Sequence, residues 1–177
     1  MTRRPPAFLL AFCLGSCALA LPARATELPL RKPGLWEMKL VKTGSPFPEM
    51  SMQHCTNETT DRDMSTASSP LSKQICSRRD IQQTATGYAI DSVCSVAGVS
   101  MTSHAEITGD FNSAYTVKTS SHSEGGVAGA ARDVTMMIEA KWLGDCKPGQ
   151  KPGDIVMPGG FKLNIKDAEK LKGLLPK

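Results

Sequence analysis

The stretch Val134-Thr-Met-Met-Ile-Glu-Ala-Lys-Trp142 decides the fold of this chain. Apolar side chains occupy every second position, and this period of two places them all on one face of an extended strand: Val134, Met136, Ile138, Ala140 and Trp142. The same alternation recurs at Trp36, Met38 and Leu40, and again at Tyr115 and Val117. The pattern therefore predicts half-buried β-strands along most of the chain.

Turn signals separate these strands. Thr86-Gly87, Ala97-Gly98 and the segments 109–112 and 124–129 follow one another at intervals that suit hairpins. Between them lie runs rich in Thr, Val, Ile and Tyr, which favour strands. We predict an all-β domain, an antiparallel meander curved into a half-barrel or a small barrel.

The chain changes character after Cys146. Residues 147–177 contain the turn sequences Lys147-Pro-Gly and Met157-Pro-Gly-Gly. From Ile165 to Leu175 the apolar residues fall at steps of three and four, which predicts a short C-terminal helix. The domain organisation is then a leader over residues 1–25, a β-rich domain over 26–146, and a Pro/Gly-rich tail over 147–177.

The leader has the features of a cleaved signal peptide. Arg3 and Arg4 precede an apolar run from Ala7 to Leu21, and Ala23-Arg24-Ala25 fits a cleavage site. That run falls short of the roughly 20 residues needed to cross a bilayer. We expect a periplasmic protein with no transmembrane segment. A lipoprotein anchored at Cys17, in Leu14-Gly15-Ser16-Cys17, is the alternative.

Net charge excludes one class of partner. The chain carries 21 basic and 17 acidic residues, and three of the basic residues, Arg3, Arg4 and Arg24, lie in the leader. The exported protein is nearly neutral and lacks the broad basic field that attracts phosphate backbones. Nucleic acid is therefore not expected as a partner.

Four cysteines remain after the leader, and an even number in an exported chain indicates disulfides. Cys76 and Cys94 flank a predicted hairpin centred on Ala85-Thr86-Gly87, so they should lie opposite each other. This favours Cys76 with Cys94 and Cys55 with Cys146. The pairing of Cys55 with Cys76 and Cys94 with Cys146 stays open. No two cysteines have the close spacing of a structural zinc site.

These features together resemble a known family. Pro33-Gly34-Leu35-Trp36-Glu37 opens the domain, a cysteine follows the first strand, and Trp142-Leu143-Gly144-Asp145-Cys146 closes the sheet after the cysteine-bounded hairpin. The chain is similar to the exported bacterial proteins catalogued as domain of unknown function 3617, over about residues 30 to 150. The resemblance implies an exported β-rich domain and carries no catalytic residue across.

One motif suggests metal chemistry. Met50, Met52 and His54 stand at a period of two, so a strand would direct all three to one face. Thioether and imidazole are ligands that copper(I) favours. Because methionine also fills gaps in apolar cores, packing is the preferred interpretation, with no cofactor expected and copper(I) as the alternative.

No motif points to catalysis. The chain has neither a nucleophile elbow nor a phosphate-binding glycine loop. His104 and His122 have no obvious acid–base partner in the sequence, and the acids Asp61 and Asp63 occupy a polar segment where carboxylates are usually solvated. Trp36 and Trp142 are expected to anchor the core. We expect a non-enzymatic periplasmic binding or envelope-maintenance protein, with a small ligand or an envelope protein as partner.

Overall fold

The computed structural model describes residues 27–42, 49–65, 74–125 and 132–167. The predicted signal peptide, Cys17 included, lies outside these residues. Residues 165–167, the first three residues of the predicted C-terminal helix, are helical. The remaining residues of that prediction lie outside the described part. No helix among the described residues is long and apolar enough to cross a membrane.

Within these described ranges, nine strands form one sheet in which each pair of neighbours is antiparallel, in the order β3-β4-β5-β6-β7-β1-β2-β8-β9. A short helix, α1 (Glu58–Met64), follows β2. The strands are β1 (Gly34–Lys42), β2 (Met50–Thr56), β3 (Cys76–Thr84), β4 (Gly87–Val96), β5 (Val99–Asp110), β6 (Ala114–Gly125), β7 (Arg132–Gly144), β8 (Asp154–Val156) and β9 (Lys162–Asn164).

The predicted all-β antiparallel fold is confirmed. From β3 to β7 the strands follow one another as the meander that the turn signals indicate. The sheet does not close on itself, because β3 and β9 are its two ends, so the small closed barrel is wrong. The strands β8 and β9 were not predicted, and they extend the sheet from β2 with residues of the Pro/Gly-rich tail.

The strand register defines an inner face. Tyr115 lies opposite Ala140, which lies opposite Met38, and Trp36 lies between Trp142 and His54. Directly opposed residues of antiparallel strands project to the same side. The inner face therefore collects the apolar residues that the period of two predicts.

The core on that face is small. Among the described residues, its buried apolar side chains are those of Trp36, Ile90, Ile107, Tyr115 and Ala140. Leu35 and Cys55 are also buried, but they lie outside this cluster. Several other apolar side chains pack against this core but stay partly exposed, Met38, Ile81, Ala105 and Val117 among them. Much of the apolar inner face is thus only half-covered by the described chain.

The first residue of β1, two positions before Trp36, must be a glycine. Gly34 has φ +130°, and a Cβ there would lie 2.3 Å from the Gly144 carbonyl oxygen. The fully buried Trp36 donates from Nε1 to the Lys32 carbonyl at 2.8 Å, and Trp142 Nε1 donates to the Pro33 carbonyl at 3.1 Å. Both indoles thus fasten the chain that enters β1. Trp142 is only half-buried, and the Lys32 ammonium lies 3.6 Å from the centre of its ring.

The disulfides join Cys55 to Cys146 and Cys76 to Cys94. This is the pairing that the hairpin argument favours. Cys76 lies directly opposite Cys94, and a register shift after Cys76 separates this pair from the regular hairpin register. The other bridge links β2 to Cys146, two residues after the end of β7, and β2 and β7 are the strands that flank β1. Both therefore fix strand positions in the sheet.

The two bridges should contribute unequally to stability. They close loops with sequence separations of 91 and 18 residues. In the chain-entropy model these loops correspond to about 4.6 and about 3.2 kcal/mol. We expect Cys55→Ala/Cys146→Ala to lower the free energy of unfolding more than Cys76→Ala/Cys94→Ala, as measured by urea denaturation. Equal losses would contradict the loop-length argument.

Candidate functional site

A groove of about 470 Å³ lies on the inner face of the sheet. This volume falls within the range of ligand pockets in proteins. Its apolar lining comes from β1, α1, β4, β5, β6, the segment before β1 and the β5–β6 turn: Leu28, Pro29, Met38, Met64, Ile90, Ala105, Ile107, Phe111, Tyr115 and Val117. The groove therefore occupies the half-covered part of the apolar face.

Aromatic rings form one wall of the groove. Phe111 stacks on Tyr115 with ring centroids 4.9 Å apart, and Tyr115 also contacts Trp36 at 5.6 Å. Phe111 lies in the turn between β5 and β6, and its carbonyl accepts a hydrogen bond from the Lys32 amide at 2.9 Å. This bond holds the segment before β1 beside the aromatic wall.

A buried ion pair lines the groove beside this wall. Arg31 donates from Nε to Asp61 Oδ1 at 2.6 Å, and its backbone amide donates to Asp61 Oδ2 at 2.7 Å. Both side chains are more than nine-tenths buried. The guanidinium also lies 5.8 Å from the centre of the Trp36 ring. One carboxylate thus fastens both the backbone and the side chain of the segment that precedes β1.

Helix capping places Asp61 at this position. The Asn57 side chain accepts a hydrogen bond from the Thr60 amide at 3.0 Å, and the Thr60 hydroxyl accepts one from the Asn57 amide at 3.0 Å. This reciprocal capping box fixes the start of α1. Thr60 is fully buried, so the first turn of α1 packs inward and brings Asp61 with it.

A polar row crosses the groove, and the disulfide between Cys76 and Cys94 lines the groove beyond this row. Arg79 on β3, Ser92 on β4, Ser103 on β5 and Ser121 on β6 lie directly opposite one another across four strands. The Ser92 and Ser103 hydroxyl oxygens are 2.7 Å apart and share a hydrogen bond. Arg79 is half-buried, and burial lowers the pKa of its guanidinium. The next row along the strands is Ile81, Ile90, Ala105 and Thr119.

Met50, Met52 and His54 lie on the inner face, as their spacing predicts. Met50 is exposed, Met52 is half-buried and His54 is buried. Each faces an apolar residue of β1, in the pairs Met50–Leu40, Met52–Met38 and His54–Trp36.

His54 is engaged by Arg31. The Arg31 Nη2 lies 3.1 Å from His54 Nδ1, and a guanidinium only donates, so Nδ1 accepts and Nε2 carries the proton. Burial, and then the charge of Arg31, lower the pKa of His54 to about 3. A copper(I) ion at Nε2 would require that proton to move to the nitrogen that faces Arg31. Copper(I) binding by Met50, Met52 and His54 stays a prediction.

The other histidines have acidic partners that the sequence did not reveal. His104 Nδ1 lies 2.8 Å from Asp91 Oδ1, and His122 Nδ1 lies 2.7 Å from Asp133 Oδ1. Hydrogen bonding to Asp133, and then to Glu124, raises the pKa of His122. These pairs are exposed cross-strand contacts. No group of three His, Cys, Asp or Glu side chains that could hold a metal ion occurs in the described part of the chain.

Sequence reasoning missed two residues of the groove and misjudged a third. Nothing in the sequence marks Arg31, which stands outside the alternating strands. Asp61 is buried, whereas a solvated carboxylate was expected, and it pairs with Arg31 and not with Asp63. Arg79 could have been found from the hairpin register, which places it opposite Ser92.

Comparison with known proteins gives one match. The family model described as "Protein of unknown function (DUF3617)" matches residues 31–146. No curated protein and no solved structure matches the chain. The matched range includes the ion pair, the aromatic wall, the polar row and both disulfides.

The ion pair should be important for stability. In Asp61→Asn the guanidinium of Arg31 stays buried without its carboxylate, which typically costs about 3–5 kcal/mol. We expect a loss of this order in the free energy of unfolding, measured by urea denaturation. Asp63→Asn, at an exposed position of the same helix, is the control and should change it by less than about 0.5 kcal/mol. Similar small effects in both variants would contradict this role.

His54 should make the protein sensitive to acid. Its pKa is about 3 in the folded protein, against an ordinary value of 6.5 for histidine. Between these values the unfolded chain binds a proton that the folded protein does not, so stability falls as the pH falls below about 6.5. One such group contributes a slope of about 1.4 kcal/mol per pH unit.

His54→Gln should remove this slope. Urea denaturation of both proteins between pH 4.5 and 8.5 gives the difference in their free energies of unfolding. We expect the difference to be constant above about pH 7.5, where the imidazole is neutral in both states, and to shift by about 1.4 kcal/mol per pH unit below about 6. Parallel curves across the whole range would show that His54 does not carry the effect.

Proposed function

The chain belongs to the family described as protein of unknown function (DUF3617), and we propose that it is a non-enzymatic binding protein that holds a small apolar molecule in the groove on the inner face of its sheet. The observation that carries this proposal is the groove itself, with its volume of about 470 Å³ and its apolar lining.

The incomplete burial of apolar side chains around the groove supports the binding of a ligand there. Ile90, Ile107 and Tyr115 are buried under the groove, while Met38, Ala105 and Val117 around it stay half-exposed. Apolar surface in contact with water is unfavourable by about 25 cal/mol for each Å². An apolar molecule that covers these side chains would remove that surface from water, which supplies a driving force for binding.

The polar groups of the groove support binding in preference to catalysis. Asp61 is engaged by Arg31 through two hydrogen bonds. His54, with its pKa of about 3, does not exchange protons near neutral pH, where a general acid or base is most effective. These groups hold the walls of the groove in place, and neither Asp61 nor His54 is suited to exchange a proton with a bound molecule.

The two disulfides support a location outside the cytoplasm, because such bonds persist in oxidising compartments. We propose that the protein is periplasmic, and the features of its leader support this finer location. In that compartment the protein would meet apolar molecules of the cell envelope, which are suitable ligands for the groove. A protein that binds such molecules would have both roles expected from the sequence, binding and envelope maintenance.

A bulky side chain inside the groove should block binding. Ala105 lines the groove, whereas its neighbour Glu106 on β5 points away from it and is 61% exposed. We expect Ala105→Trp to weaken binding of the neutral fluorescent probe N-phenyl-1-naphthylamine by about tenfold or more, which corresponds to about 1.4 kcal/mol. The matched control Glu106→Trp should bind the probe as the parent protein does.

Fluorescence titration of the three proteins gives the dissociation constants, and circular dichroism checks that each is folded. Equal binding by Ala105→Trp and the parent would place the probe outside the groove. Absence of binding by the parent protein would refute the proposed function.

A further inference from the structure

The hairpin formed by β8 and β9 has an apolar tip and lysines at its base. We propose that this hairpin docks the protein on a membrane surface that contains anionic lipid. Phe161 enters the layer of lipid chains, and the lysines of the tail lie at the head groups. The hairpin contributes no residue to the described lining of the groove, so this inference goes beyond the proposed function and is independent of it.

The tip of the hairpin has no charged or polar side chain. Between Asp154 and Lys162 the sequence is Ile-Val-Met-Pro-Gly-Gly-Phe. Phe161 is 66% exposed, which makes it the most exposed large apolar side chain in the described part of the chain, and residues 158–160 beside it are exposed as well. An aromatic side chain presented to solvent on an apolar tip suits a partner that is itself apolar.

Internal hydrogen bonds hold the tip in this form. The Met157 amide donates to the Phe161 carbonyl at 2.8 Å, and the Gly160 amide donates to the Met157 carbonyl at 3.0 Å. Gly159 and Gly160 have φ of +85° and +84°, in the left-handed region that glycine adopts readily. The exposure of Phe161 is thus a property of a defined turn. Two amides of this turn already have partners within the protein, which lowers the cost of moving the tip out of water.

Lysines surround the base of the same hairpin. Four lysines of the described tail are exposed: Lys147, Lys151, Lys162 and Lys166. The Lys162 ammonium donates to the Gly149 carbonyl at 3.2 Å and lies 3.5 Å from the Asp154 carboxylate. Asp154 also accepts from the Lys151 amide at 2.9 Å. These contacts bring β9 and the turns before β8 together, so their lysines share one side of the molecule.

The charge of the exported chain is unevenly distributed. Residues 147–177 contain seven lysines and three acidic residues, whereas residues 26–146 contain eleven basic and fourteen acidic residues. The near neutrality of the exported protein therefore conceals a basic tail on an acidic domain. Of the acids in the tail, Asp154 is buried. A basic segment attracts anionic lipid, and each lysine close to such a surface strengthens binding about fivefold.

The tip and the lysines are spaced as a membrane interface requires. The three residues of β8, Asp154–Val156, span about 10 Å from the base towards the tip. Peripheral segments bury their apolar side chains about 5–10 Å into the boundary between head groups and chains. With Phe161 at this depth, the lysines at the base lie at the level of the lipid phosphates, which their long side chains reach.

Co-sedimentation with vesicles tests the proposal. The exported protein, as recovered from the periplasm, is mixed with sucrose-loaded vesicles of phosphatidylcholine alone or of equal parts phosphatidylcholine and phosphatidylglycerol. We expect at least about tenfold stronger binding to the anionic vesicles, because several lysines contribute. Equal binding to both kinds of vesicle, or no binding to the anionic kind, would overturn the proposal.

The variant Phe161→Ala should bind the anionic vesicles about tenfold more weakly, because less apolar surface leaves water. The matched control is Val96→Ala, which shortens an apolar side chain that is 51% exposed at the end of β4. It should bind as the parent protein does. If Phe161→Ala binds as tightly as the parent, the lysines act by charge alone and the tip does not enter the membrane.

Removing two charges tests the lysines. Lys151→Gln/Lys166→Gln keeps the hydrogen bonds that the two backbone amides donate, and it should weaken binding to the anionic vesicles by at least about tenfold. Lys39→Gln/Lys118→Gln removes the same charge from β1 and β6 and should leave binding unchanged. Equal losses in both variants would show that overall charge and not the tail is responsible, which refutes the proposal.

A tryptophan at the tip measures its depth directly. In Phe161→Trp the new indole should be quenched by anionic vesicles whose phosphatidylcholine carries brominated chains, beyond the quenching of Trp36 and Trp142 in the parent protein. Val96→Trp is the control and should show no additional quenching. Circular dichroism checks that each variant is folded. Absence of additional quenching in Phe161→Trp would show that the tip stays outside the lipid chains, and the proposal would be wrong.

Discussion

The ion pair between Arg31 and Asp61 is the interaction on which the arrangement of the groove depends. It joins the segment that enters β1 to the helix that follows β2, and these two parts of the chain stand at one end of the inner face. The same guanidinium faces His54, lies near the Trp36 ring and contacts the Met38 sulfur at 3.8 Å. Because a buried guanidinium must have its hydrogen-bonding partners supplied by the protein, these residues are held in one geometry. The alternation of apolar residues is enough to form the sheet. The ion pair determines that the segment before β1 and the helix α1 lie together beside its inner face.

Most of the sheet could be predicted because its information is local. The alternation from Val134 to Trp142 requires only that one face be apolar, and glycines mark the turns of the meander. The Cys76–Cys94 bridge follows from a hairpin whose turn is visible in the sequence. The strands β8 and β9 escaped prediction because each has only three residues, too few for a period to appear, and because prolines and glycines surround them.

The candidate site was harder to predict because its parts come from distant positions. Arg31 and Asp61 are 30 residues apart, and neither is distinguished by its neighbours. Asp61 stands in a polar segment that suggests a solvated carboxylate, and only the burial of Thr60 turns that face of α1 inward. The polar row that begins at Arg79 depends on the register of three hairpins, β3–β4, β4–β5 and β5–β6. Composition shows that aromatic side chains are few, at 5% of the chain. It does not reveal that the described part of the chain leaves several apolar side chains half-covered.

The open form of the sheet bears on how the protein avoids self-association. In the sheet formed by the described residues, β3 and β9 are the edge strands, and an exposed edge can pair with another chain. The three residues of β9 provide a short template for such pairing. The edge strand β3 is longer, but it carries the charged pair Arg78 and Asp80 and is bonded covalently to its neighbour through Cys76. Charges on an edge disfavour the approach of a second strand, and the covalent bond restrains β3 from peeling away to exchange partners. The same strand that lines the groove is thus protected against fibril-like aggregation.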